Sequence, residues 1–122
     1  MKRIAARSEV MCFLRRVITV SRHPKGFVLI PRKENLDILA EYGFLRSFPR
    51  EVVQRLSIRN YSYTDNDVDR PGEVWVFGKK IEGVAFYIKI KLDQINGRDI
   101  VKCLSFHPEN PEKPSLKFPY RR

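Results

Sequence analysis

Between Val84 and Leu92 apolar and polar residues alternate. An extended strand sends neighbours to opposite faces, so Val84, Phe86, Ile88, Ile90 and Leu92 share one face and Tyr87, Lys89 and Lys91 the other. A phenol and two ammonium groups then stand in a row, spaced about 7 Å apart along the strand. If Leu104 and Phe106 of the next apolar segment point to the core, Ser105 and His107 join that row. Such a set suits cleavage of RNA without a metal. That reaction needs a base for the 2′-hydroxyl proton, an acid for the departing 5′-oxygen, and cations for the charge gathering on the phosphate. An imidazole moves protons near neutrality, so His107 is the proton-transfer candidate, with Lys89 and Lys79 as fixed positive charge. Tyr87 can donate a hydrogen bond or stack on a base. The same pattern also describes an ordinary solvated sheet face with a histidine at a strand end.

Competing chemistries fail on spacing. Asp65-Asn66-Asp67-Val68-Asp69 opens like a calcium loop, but Arg70 stands where glycine is needed and Val76 where a bidentate carboxylate is needed. Cys12, His23, Cys103 and His107 show no paired zinc spacing. Gly78 and Gly83 form no phosphate-cradling loop, and Gly-x-Ser-x-Gly does not occur. No metal site, cofactor or small-molecule cofactor partner is expected.

The elements that must hold the row follow from periodicity and punctuation. After a basic lead over 1–7, Ser8 reads as the N-cap of a helix to about Val20, with Met11, Leu14, Val17 and Ile18 inward and Arg15 and Arg16 outward. Phe27 to Ile30 reads as a short strand stopped by Pro31. Asn35 reads as the cap of a second helix to Tyr42, with Leu36, Leu39 and Ala40 inward and Gly43 at the left-handed stop. Ser47 and Pro49 start a third helix, burying Val52, Val53 and Leu56. Residues 57–72, rich in Asp, Asn, Ser and Tyr, read as a long loop. Strands over 73–79, 84–92 and 100–106, joined by hairpin-length connections, make a three-strand meander within 73–107. The tail 108–122 carries four of the eight prolines and can be tied down by its Phe and Tyr. The expected architecture is α+β in one domain over 1–122: N-terminal helices packed on one face of a small twisted antiparallel sheet.

The chain of 122 residues supports one core, and its 43% apolar share argues against disorder. Two cysteines in apolar settings argue against a disulfide framework and for a reducing, cytoplasmic address. No run approaches the roughly 18 apolar residues of a membrane span, so no membrane partner is expected. The net charge of +10 favours a polyanion. It lies mainly in residues 1–60, which hold thirteen bases, ten of them Arg, against five acids. Arginine binds phosphate bidentately and stacks on bases, so RNA is the expected partner, recruited by Arg15, Arg16, Arg70 and Lys91, with Tyr61 in the loop available for stacking.

Several ordered segments carry a resemblance. Leu56-Ser57-Ile58-Arg59-Asn60-Tyr61, Arg70-Pro71-Gly72-Glu73-Val74-Trp75-Val76-Phe77-Gly78-Lys79, Phe86-Tyr87-Ile88-Lys89, Cys103-Leu104-Ser105-Phe106-His107-Pro108 and Phe118-Pro119-Tyr120 together resemble the MqsR family of toxins from bacterial toxin–antitoxin pairs. The similarity spans roughly residues 33 to 120. It implies a RelE-like fold, metal-independent endonucleolytic cleavage of mRNA, and a cognate antitoxin protein as partner. Tyr87 falls on the family's catalytic tyrosine. His107 falls where the founding toxin has a lysine, and Val76 and the Tyr61-Ser62 region fall on its active-site glutamine and loop lysine.

The expected site is therefore Tyr87, Lys89, His107 and Lys79 for catalysis, with Arg70, Lys91, Arg15, Arg16 and Tyr61 holding RNA. Two other readings stay open: a non-enzymatic nucleic-acid-binding module, and a basic protein-interaction domain that docks an acidic partner.

Overall fold

The computed structural model describes residues 1–121. Arg122, the end of the expected tail, lies outside them. Helix α1 (Arg7–Ser21) leads to strand β1 (Phe27–Leu29), then helices α2 (Lys33–Tyr42) and α3 (Phe48–Gln54) and a 3₁₀ turn (Ile58–Asn60). Strands β2 (Tyr61–Asn66), β3 (Glu73–Ile81), β4 (Val84–Ile95) and β5 (Arg98–Pro108) follow. One sheet orders them β1-β5-β4-β3-β2. The fold is α+β, with its helices on one face of the sheet as the pattern predicts. The sheet is mixed: β1 runs parallel to β5, whereas β2 to β5 pair antiparallel.

The meander forms because two two-residue turns reverse it. Glu82-Gly83 and Asn96-Gly97 all take positive φ, between 51° and 78°, the twist that matches paired strands. The covered face of β3 and β4 presents Trp75, Phe77, Phe86, Ile88 and Ile90 to the helices. Phe13 of α1 stacks on Trp75 with ring centroids 4.1 Å apart. The buried stripe of α1 is Val10, Phe13, Leu14 and Val17. It is rotated from the expected one: Met11 is exposed and Ile18 half-buried, because the aromatic wall of β3 draws Phe13 inward. Ala6, not Ser8, occupies the N-cap position of α1, and Ser8 lies in the first turn.

Asn35 does not cap α2, which has Arg32 at its N-cap, and Ala40 is exposed. The Asn35 amide is buried and acts like a strand's peptide group. Its Nδ2 donates to the carbonyls of Ile30 (2.9 Å) and Leu104 (3.1 Å), and its Oδ1 accepts from Phe106 N–H (3.0 Å). The short β1 leaves that stretch of the β5 edge unpaired, and Asn35 satisfies it. Helix α2 is thereby anchored across the edge: its N-terminal turn stands beside β5, and Tyr42 at its other end packs edge-on against Phe86 of the covered face. Gly43 takes the left-handed stop at φ 69°.

Residues 57–72 are not a loop throughout. Tyr61–Asn66 form β2, paired with β3, and only 67–72 make an irregular turn. The polar composition conceals the strand because its buried positions, beside Tyr61, are Ser62 and Thr64 rather than apolar residues. Its buried hydroxyls are partnered: that of Tyr61 meets Thr64 Oγ1 at 2.7 Å and accepts from Ala5 N–H, 56 residues away in sequence, at 2.9 Å. The tail is tied down, as expected. Leu116 and Phe118 lie over Gly78, and Tyr120 stacks on Tyr61 while its hydroxyl donates to the Ala5 carbonyl.

Candidate active site

The open face of the sheet assembles part of the expected row. Tyr87 of β4 stands opposite His107 of β5, and their rings stack with centroids 5.5 Å apart and 20° between planes. Lys89, two residues along, faces Ser105 across the pair and Val76 on the other side. Between Lys89 and Ile90 the register slips by one residue. The extra residue on β5 is Leu104, which the alternation had placed in the core. It instead borders a cleft of about 140 Å³ together with Arg32, Tyr63, Tyr87 and Lys89. This bulge lets Phe106 and Cys103 both remain on the covered face while Ser105 and His107 remain on the open one.

The polar contacts define what each group can do. The Tyr87 hydroxyl lies 2.9 Å from that of Tyr63. Burial, and then the Tyr63 hydroxyl and the nearby Asp65 carboxylate, push the Tyr87 phenol above its ordinary pKa. It stays protonated near neutrality and can donate a hydrogen bond. His107 Nδ1 lies 2.9 Å from the Pro108 carbonyl, and its Nε2 lies 2.8 Å from Glu34 Oε1. Both partners are acceptors, so both contacts are hydrogen bonds only when the imidazole carries two protons. Lys89 forms no ion pair among the described residues.

Other expected site residues are elsewhere. Lys79 pairs with Phe86 in register, which puts its side chain on the helix-covered face, opposite Tyr87; adjacency to Gly78 in sequence means the other side of the sheet. Tyr61 is fully buried in the core, stacked on Tyr120, and offers no face to a base. Lys91 is on the open face but only 4% exposed. The 67–72 turn folds over it, and its ammonium donates to Asp67 Oδ2 and to the Pro71 carbonyl, each at 2.7 Å. That charge is spent within the fold. Arg15 and Arg16 are exposed on α1, on the helix side of the sheet, with Arg16 3.6 Å from Asp99. They cannot reach a phosphate held at Tyr87. Arg70 is exposed and lines a second cavity that shares Arg32 and Leu104 with the cleft.

Comparison with protein-family models, curated proteins and solved structures finds no match to this chain. The site is therefore read from its own geometry. Two of its residues, Glu34 and Arg32, escaped the sequence reading. Both belong to the start of α2, a helix that looks purely structural until Asn35 is seen to anchor it beside His107. No spacing signal could have revealed this, because Glu34 and His107 meet only through tertiary structure.

Among the described residues, no helix is long and apolar enough to cross a membrane.

Proposed function

We propose that this protein is a metal-independent endoribonuclease of the MqsR toxin type, cleaving mRNA in the cytoplasm and restrained by a cognate antitoxin protein. The observation that carries this reading is the Tyr87–His107 stack on the open face, with an unpaired Lys89 beside it. The order of motifs along the chain supports it.

In the proposed reaction the 2′-oxygen attacks phosphorus and its proton passes to water. The bond from phosphorus to the 5′-oxygen breaks, and that oxygen takes a proton from His107 Nε2. The products are a 2′,3′-cyclic phosphate and a 5′-hydroxyl. Throughout, the Nδ1–H bond to the Pro108 carbonyl keeps the ring oriented. Lys89 offsets charge on the non-bridging oxygens, and the Tyr87 hydroxyl, kept protonated, donates to one of them.

The test is incubation of purified protein with mRNA in the presence of a metal chelator, followed by end-group analysis. The expected result is fragments with cyclic-phosphate ends. His107→Ala should lower the cleavage rate at least about tenfold, the scale of a lost proton-transfer group. RNA that is bound but left intact by the wild-type protein would instead identify a binding module.

A further inference from the structure

Glu34 holds the one nitrogen of His107 that faces outward from the strand's own backbone. His107 Nδ1 is committed to the Pro108 carbonyl, whereas Nε2 meets a carboxylate at 2.8 Å. The two partners differ in permanence. The carbonyl belongs to the backbone of β5, while Glu34 is 67% exposed and enters from another element. A contact made by a carboxylate exposed to that degree is weak and is readily exchanged for another anion. His107 is 22% exposed, so the exchange needs no opening of the core.

The surroundings select the incoming anion. Arg32, two residues before Glu34, lines the cleft with Lys89 and Tyr87 and makes no ion pair among the described residues; of the carboxylates that line the same cleft, Asp67 is held by Lys91 and Asp65 by the N-terminal ammonium, while Asp69 makes no ion pair among the described residues. A phosphodiester in place of the carboxylate would meet Nε2 with Lys89 two residues along β4 from the Tyr87–His107 pair and Arg32 two residues before Glu34. A carboxylate and a phosphate present the same feature to an imidazolium: anionic oxygens that accept a charge-assisted hydrogen bond.

We propose that His107 Nε2 is a phosphate subsite, and that Glu34 is the chain's own occupant of it until a backbone phosphate of RNA displaces the carboxylate. This rests on the ribonuclease reading for the identity of the ligand. Glu34 is then a competitor of RNA, and removing its charge strengthens binding, whereas loss of a residue that merely supported the site would weaken it.

The experiment measures binding of a fluorescent 2′-O-methylated oligoribonucleotide, which has the phosphates but cannot be cleaved, by anisotropy at about 0.15 M salt. Glu34→Gln should tighten binding about two- to fivefold, the scale of one exposed ion pair. Glu41→Gln, an exposed position at the far end of α2, raises net charge equally and should change binding by much less. In a His107→Gln background, Glu34→Gln should bring no gain. Unchanged or weaker binding by Glu34→Gln would overturn the proposal. So would an equal gain from Glu41→Gln, or a gain that persists without His107. Because the probe resists cleavage, a protein that never cuts mRNA but shows the expected pattern would retain the subsite and lose the nuclease reading.

Discussion

Lys91 and Lys89 are two residues apart on one strand face, yet one is a structural cation and the other is available for chemistry. The difference is Asp67, whose carboxylate accepts from Lys91 at 2.7 Å under the cover of the Pro71-Gly72 turn. The Lys91 ammonium, and then the Asp69 backbone N–H, lower the Asp67 pKa from 3.8 to about 2. A carboxylate whose folded value is depressed contributes stability that is complete above its unfolded pKa and is lost as pH falls through the folded one. The contribution is thus present above about pH 4 and disappears toward about pH 2, and it amounts to about 1–2 kcal/mol after solvent screening. Urea unfolding of the wild type between pH 5 and pH 2 should show that loss, and Asp67→Asn should flatten it. A variant with the wild-type acid sensitivity would show that the pair contributes nothing. None of this was legible from Val84 to Leu92, because alternation identifies a face but not the loop that folds over it.

At the scale of elements, the readable parts were those with local causes. The hairpin at Asn96-Gly97 and the helix stop at Gly43 follow from residues that tolerate positive φ. What escaped was set by tertiary partners: the polar strand β2, the bulge at Leu104, and the service of Asn35 to the edge of β5. Two glycines separate local from global consequences. A Cβ at Gly26 would lie 1.8 Å from the Val20 carbonyl oxygen, a backbone atom at the end of α1 that cannot move without unseating the turn into β1. A Cβ at Gly78 would lie 2.8 Å from the far ends of the Leu116 and Phe118 side chains, which can swing aside without moving core backbone. Gly26→Ala should therefore cost on the order of 3 kcal/mol or more, seen as a large drop in Tm. Gly78→Ala should leave Tm close to wild type while exposing the chain around Lys117 to trypsin. If both variants melted alike, the tail would be integral to the core.

Over the whole molecule, the +10 charge forecasts a polyanion but not where it docks. Most of the basic excess precedes residue 61, and Arg15 and Arg16 project from α1 on the helix side of the sheet. The open face is less densely charged, since Lys91 and Lys102 are neutralised by Asp67 and Asp93. Yet Lys89 and Arg32 line one cavity and Arg32 and Arg70 the next, with Asp67 and Asp69 lining both. A phosphate bound there contacts few cations, each of which releases counterions and contributes to the salt dependence of binding. Lys89→Ala and Arg32→Ala should each weaken binding of an uncleavable oligoribonucleotide and lower the slope of log K against log salt by about one. Arg15→Ala and Arg16→Ala, on the other side of the sheet, should weaken encounter at low salt but leave the slope nearly unchanged. If the α1 arginines reduced the slope and the cleft residues did not, RNA would lie along the helices, and neither Tyr87 nor His107 could touch its backbone.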